Sequence, residues 1–167
     1  MIVVADSGPL RYLILIEQAE LLPPLYGRIV IPTGVLGELT HASTPPGVRV
    51  WMEDLPDWIT VKSPAKPLTD CSALLGPGES EAIALAQELT ADALLIDDQA
   101  ARAEARKRNI AVQGTLGVLD LAAEHGFLAN LPSTIARLRN TNFRASEKLL
   151  KFFLERDAVR KKSKLGG

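Results

Sequence analysis

The chain is poor in the residues that build disulfides and soft metal sites. It has one cysteine, Cys71, in 167 residues, which excludes an internal disulfide and any zinc site made of several thiolates. Two histidines, His41 and His125, are too few for a His-rich metal site or a paired-histidine nuclease. Long apolar runs are missing as well. The longest are Ile2–Ala5, Tyr12–Ile16 and Ala93–Ile96, and none approaches the ~18 residues of a membrane span. The first residues, MIVVADSG, carry no basic segment and reach an Asp at position 6, unlike a signal peptide. No internal repeat and no low-complexity segment interrupts the chain. A cytoplasmic protein without a membrane partner is expected.

What is present is a core-forming composition, 47% hydrophobic and 23% charged, which excludes disorder of the chain as a whole. A chain of this length buries about two-thirds of its unfolded surface, so it folds without covalent staples. The net charge of −1 hides an asymmetry. Residues 1–136 hold 9 Lys and Arg against 17 Asp and Glu, whereas residues 137–167 hold 10 against 3. Both a solvated terminal helix and an arm that contacts a polyanion or a partner fit this tail.

Apolar runs alternate with helical patterns. Strands are predicted at Ile2–Ala5, Arg28–Ile31, Trp58–Val61, Ala93–Ile96 and Ile110–Gln113. Pro9 opens a helix to about Leu22, which Pro23-Pro24 stops, and Pro32 opens another through about Ala42. Further helices are predicted near Val48–Leu55, and at Glu79–Thr90, Gln99–Arg108, Thr115–Glu124, Pro132–Arg139 and Ser146–Lys161, with residues 63–76 as loop. Strands separated by helices imply an α/β fold, a parallel sheet covered on both faces. A domain over residues 1–140 and a basic amphipathic helix and tail over 141–167 are expected.

Sites in such sheets lie beyond the carboxyl ends of the strands. There the first strand runs into Asp6-Ser7, the fourth into Asp97-Asp98 and the fifth into Gly114-Thr115. Glu38, on the helix after the second strand, and Glu79, at the start of the helix before the fourth, join them. A single Asp after a strand is ordinarily a helix N-cap. Several acids at neighbouring strand ends repel one another unless a cation neutralises them. Helical phase puts Glu79 at the edge of the apolar face and Glu81 on the polar side, so Glu79 is expected to point to the sheet end and Glu81 to water. Arg102, one turn after Asp98, pairs with it or reaches phosphate.

These residues resemble a known family. The order is Asp6-Ser7-Gly8-Pro9-Leu10, then Ile31-Pro32-x-x-Val35-x-x-Glu38, then Gly78-Glu79-x-Glu81-Ala82-x-Ala84-x-Ala86, then Leu94-Leu95-Ile96-Asp97-Asp98-x-x-x-Arg102. This is similar to a PIN domain, as in VapC-type toxins and a PIN-like prokaryotic branch, which Gly114-Thr115-Leu116-Gly117-Val118-Leu119 also fits. The resemblance covers about residues 1–140. It implies a three-layer α/β/α sandwich and Mg²⁺- or Mn²⁺-dependent ribonuclease activity. It also implies a homodimer and a small antitoxin partner. Asp6, Glu38, Glu79 and Asp98 match the family's four acids, with Asp97 beside the last. The family often has Asp-x-Ser, but Gly8 stands at the third position here, leaving Ser7 or Thr115 to supply a hydroxyl.

An all-carboxylate set without His or Cys suits a hard ion such as Mg²⁺. Asp6, Glu79, Asp97 and Asp98 are the expected metal ligands, and Lys161, Lys162 and Lys164 the expected RNA contacts. A non-catalytic PIN-like module that binds RNA or a partner is the alternative. A phosphatase of the haloacid dehalogenase type ranks below both, because its chemistry wants an Asp where Gly8 stands.

Overall fold

Among the described residues, five strands of two or three residues form the centre of the fold, too short for alternation to matter. The computed structural model describes residues 1–166; Gly167, the last residue of the expected tail, lies outside them. The strands are β1 (Val3–Ala5), β2 (Ile29–Ile31), β3 (Ile59–Val61), β4 (Ala93–Leu95) and β5 (Val112–Gln113). They form one parallel sheet in the order β3-β2-β1-β4-β5. Val3 pairs with Ile29 on one side and Ala93 on the other, and Ala5 with Leu95. Val3, Val4 and Ala5 are fully buried, as a strand covered on both faces requires.

The connections carry α1 (Ser7–Leu15), a 3₁₀ turn (Ala19–Leu21) and α2 (Leu22–Tyr26) before β2, then α3 (Thr33–Thr40) and α4 (Pro46–Glu53) before β3. α5 (Pro77–Glu88) precedes β4, and α6 (Gln99–Lys107) precedes β5. Chain order runs one way along the sheet from β1 to β3 and the other way from β4 to β5. Right-handed crossovers therefore put α1–α4 on one face and α5–α6 on the other, an α/β/α sandwich. Ala82 and Ala86 of α5 and Ala101 and Ala105 of α6 bring these helices close over Val4, Leu94 and Ile96 in the core.

One expected helix is broken. The helix predicted from Pro9 to about Leu22 ends near Leu15, because Glu17 takes a left-handed conformation (φ 58°). Pro23 and Pro24 then sit in the first turn of α2, where a missing N–H costs nothing, so they start a helix instead of stopping one.

The chain groups into two compact units, Met1–Thr115, which holds the whole sheet, and the segment from Leu116 on. The second contains most of α7 (Thr115–Glu124), then α8 (Leu131–Arg139) and α9 (Glu147–Leu165). Within it, buried Asp120 of α7 receives Arg156 Nε at 3.0 Å and Arg160 Nη2 at 2.5 Å from α9. Leu150 and Asp157 are the buried residues of α9, whereas Phe152 and Val159 stay exposed. The apolar side chains of Leu149, Phe152 and Phe153 on this helix are thus only partly covered. No helix among the described residues is long and apolar enough to cross a membrane.

Candidate active site

The strand order reverses beside β1, and β1 and β4 are neighbours there, β1 followed at once by Asp6 and β4, after Ile96, by Asp97 and Asp98. This is the point where an open α/β sheet leaves a crevice at its carboxyl edge. Asp6 continues the ladder through its N–H to Leu95 O (2.9 Å), which fixes its Cα beside the end of β4. It occupies the N-cap position of α1, yet its side chain makes no capping bond. The carboxyl is buried, and Oδ1 has no hydrogen-bond partner among the described residues.

Burial pushes the Asp6 carboxyl up to about 7, and the charges of Glu38, Glu79 and Asp97 push the same way, while the Ser7 backbone N–H draws it down. Glu79 is raised first by burial, with the Gly76 N–H opposing and the charges of Asp98 and Glu38 adding. Asp97 is also raised by burial, against the bonds from Thr115 and the charge of Arg102. The five acids therefore share one electrostatic neighbourhood.

Their individual holds differ. Asp97 is clamped by fully buried Thr115, whose N–H reaches Oδ1 at 2.8 Å and whose hydroxyl reaches Oδ2 at 2.6 Å. Of the two hydroxyls considered for the place Gly8 leaves open, Thr115 is the one that bonds an acid of the cluster. Arg102 donates from Nη1 to Ile96 O at 2.9 Å, and its charge acts on Asp97. Exposed Asp98 caps α6 by accepting from Ala101 N at 2.9 Å. Glu79 turns back to accept from Gly76 N at 2.6 Å, the capping-box geometry. Glu38 is exposed on α3, its carboxylate packed against the backbone of Gly78 so closely that a Cβ there would overlap it.

Glu81 departs from expectation. It accepts from Gly34 N at 2.8 Å, reaching the first turn of α3 instead of water. The physical reason is that α5 is covered on two sides: Ala82 to Ala86 are all buried, so the helix has no simple polar face.

The donor set and the orphaned Asp6 Oδ1 fit a hard divalent ion. As the side chains stand, no three His, Cys, Asp or Glu among the described residues are drawn together tightly enough to hold one. The internal bonds of Glu79, Asp97 and Asp98 account for this.

The PIN domain family model matches residues 2–158, nearly the whole chain. The chain belongs to the PIN domain family. A comparison with curated proteins finds no match. Among solved structures the chain is similar to a PilT N-terminus domain protein from the hyperthermophilic archaeon Sulfolobus solfataricus P2. The identity is 15% and the TM-score 0.47, over 87% of this chain and 100% of that one.

The PIN domain also holds one residue that the sequence did not single out, Arg11. A cavity of about 580 Å³ beside the acids is lined by Ser7, Arg11, Glu38, His41 and Gly78 among others. His41 is exposed at the end of α3, with Nδ1 2.8 Å from Ser43 Oγ. Arg11 shares a face of α1 with Ser7, one turn away; that spacing was the available clue. Of the expected RNA contacts, Lys161 is paired with Asp157 at 2.8 Å, and Lys162 and Lys164 are exposed.

Proposed function

We propose that this PIN domain is a metal-dependent endoribonuclease that hydrolyses RNA phosphodiesters. The observation that carries the proposal is buried Asp6, with an unpartnered oxygen and a raised carboxyl, among four further carboxylates at the sheet's switch point. Such a group is costly unless a cation meets it. Asp6, Glu79, Asp97 and Asp98 would hold Mg²⁺ or Mn²⁺, with Glu38 at the cleft wall. The bound ion supplies a nucleophilic water at neutral pH and charge neutralisation on the phosphate. The chain's own residues orient this set: Thr115 fixes both oxygens of Asp97, and the Asp6 backbone is fixed by its bond to Leu95. The carboxylates need metal before they can face a polyanion, since alone they repel it.

The test is cleavage of a 5′-labelled single-stranded RNA by chelator-treated protein with and without Mn²⁺ or Mg²⁺. Metal-dependent cleavage that Asp6→Asn abolishes is the expected result; an equal rate in the variant removes Asp6 from the reaction. A non-catalytic binding module is the second reading. It is favoured by the internal bonds that engage Glu79, Asp97 and Asp98. Binding of RNA without cleavage in either metal selects it.

The same resemblance to VapC-type toxins leads us to extend the proposal to a toxin that acts as a homodimer and is held in check by a small antitoxin protein. A short neighbouring reading frame with a DNA-binding N-terminus supports this extension, and sedimentation of the purified chain as a monomer removes the homodimer.

A further inference from the structure

Glu38 brings one of the acids to the wall of the cavity, and the same cavity also carries the opposite sign. Arg11 lies half-buried on α1 and lines the same cavity as Glu38 and His41. Its Nε is buried without a hydrogen-bond partner among the described residues. The ion pairs found among the described residues do not include it. A guanidinium stays charged at any working pH, so burying part of it unpaired is unfavourable unless an anion completes the site. Its planar fork matches the oxygens of a phosphate.

We infer that Arg11 binds a backbone phosphate of the polynucleotide and so sets where the strand lies across the cleft. The phosphate it holds neighbours the one presented to the carboxylates. This assignment rests on the nuclease reading for the position of the reacting phosphate, and on the cleft alone for the contact. Arg11 is a positioning residue here, because the reacting bond lies at the acids.

The experiment compares wild type, Arg11→Lys and Arg11→Met, the last keeping an apolar stem for packing. Cleavage of single-stranded RNA with Mn²⁺ is measured across a potassium chloride series. Arg11→Met should raise KM about tenfold with kcat within about twofold, and Arg11→Lys should recover part of the loss. The slope of log KM against log salt should become shallower by about 0.7, one phosphate contact on a single strand. Unchanged KM and slope in Arg11→Met, with an active wild type, overturn the inference. If the wild type does not cleave, the nuclease reading fails separately. Fluorescence anisotropy with the same RNA then decides: a loss of affinity in Arg11→Met supports the contact, and equal affinity overturns it. A fall in melting temperature that tracks the binding loss in both variants would assign Arg11 to stability alone.

Discussion

Asp6 is the residue at which folding and the proposed chemistry oppose each other. Its carboxyl is raised from 3.8 to about 7, chiefly by burial and then by Glu38, Glu79 and Asp97. A carboxyl raised by folding favours the folded state when protonated. Its contribution is complete below the ordinary value and is lost as pH climbs through about 7. In chelator, Asp6→Asn should therefore be more stable than wild type by about 1–3 kcal/mol at about pH 8, and the difference should vanish near about pH 4. Urea denaturation at both pH values checks this, and equal stability at the higher one refutes it. Calorimetry should show weaker Mn²⁺ binding in the same variant. A position that stabilises the protein when neutralised and disables it as well is the expected behaviour of a functional acid.

At the scale of elements, two helix starts are held together by two acids. Glu81 of α5 accepts from Gly34 N–H at the start of α3, and Glu38 of α3 lies against Gly78 at the start of α5. Early helical N–H groups need acceptors, and Glu81 supplies one across the gap. Glu81→Gln retains an acceptor, whereas Glu81→Ala should cost about 1–2 kcal/mol. Glu79→Gln should lower cleavage more than Glu81→Gln, and the reverse order in a single-stranded RNA assay would exchange their roles. Gly78→Ala places a Cβ in the Glu38 carboxylate. It should leave stability within about 1 kcal/mol, since Ala favours a helix, yet lower cleavage about tenfold by displacing Glu38. An unchanged rate would show that Glu38 has no fixed place in the reaction. The strands and most helices were legible because short apolar runs and proline or glycine breaks mark them. The placement of Asp6, Asp97 and Asp98 followed from the topology those runs imply. The Glu81 bridge was not legible, because a helical wheel knows one neighbour and α5 has two. Nor was the end of α1, where a non-glycine residue, Glu17, turns left-handed. Arg11 was missed because its unpaired Nε and its cavity exist only in the folded chain.

Across the whole molecule the basic excess of residues 137–167 looks like a free polyanion arm only until its partners are placed. Arg156 and Arg160 are held by Asp120, and Lys161 by Asp157. Lys162 and Lys164 remain exposed at the end of α9. Neutralising Lys162 and Lys164 should spare folding while weakening RNA binding and flattening its salt dependence, and an unaltered salt slope would release them from that role. Asp120 should behave in the opposite way. Its carboxylate is 8% exposed, Arg160 is 15% exposed and Arg156 is 48% exposed, so Arg160 is the desolvated partner and Arg156 the screened one. Asp120→Ala leaves Arg160 without its counter-charge and should cost about 2–4 kcal/mol, most of it through that residue. Arg156→Met should cost under about 1 kcal/mol, as a half-exposed pair does. The pairing itself is isolated by a double-mutant cycle on Asp120→Ala and Arg160→Met, read by urea denaturation. A coupling of about 1–3 kcal/mol is expected for groups in direct contact, because Arg160→Met removes the charge that Asp120→Ala would strand. Strict additivity would mean that α9 is held by its buried Leu150 and not by Asp120, and the arginines would then return to the pool of charge available to RNA.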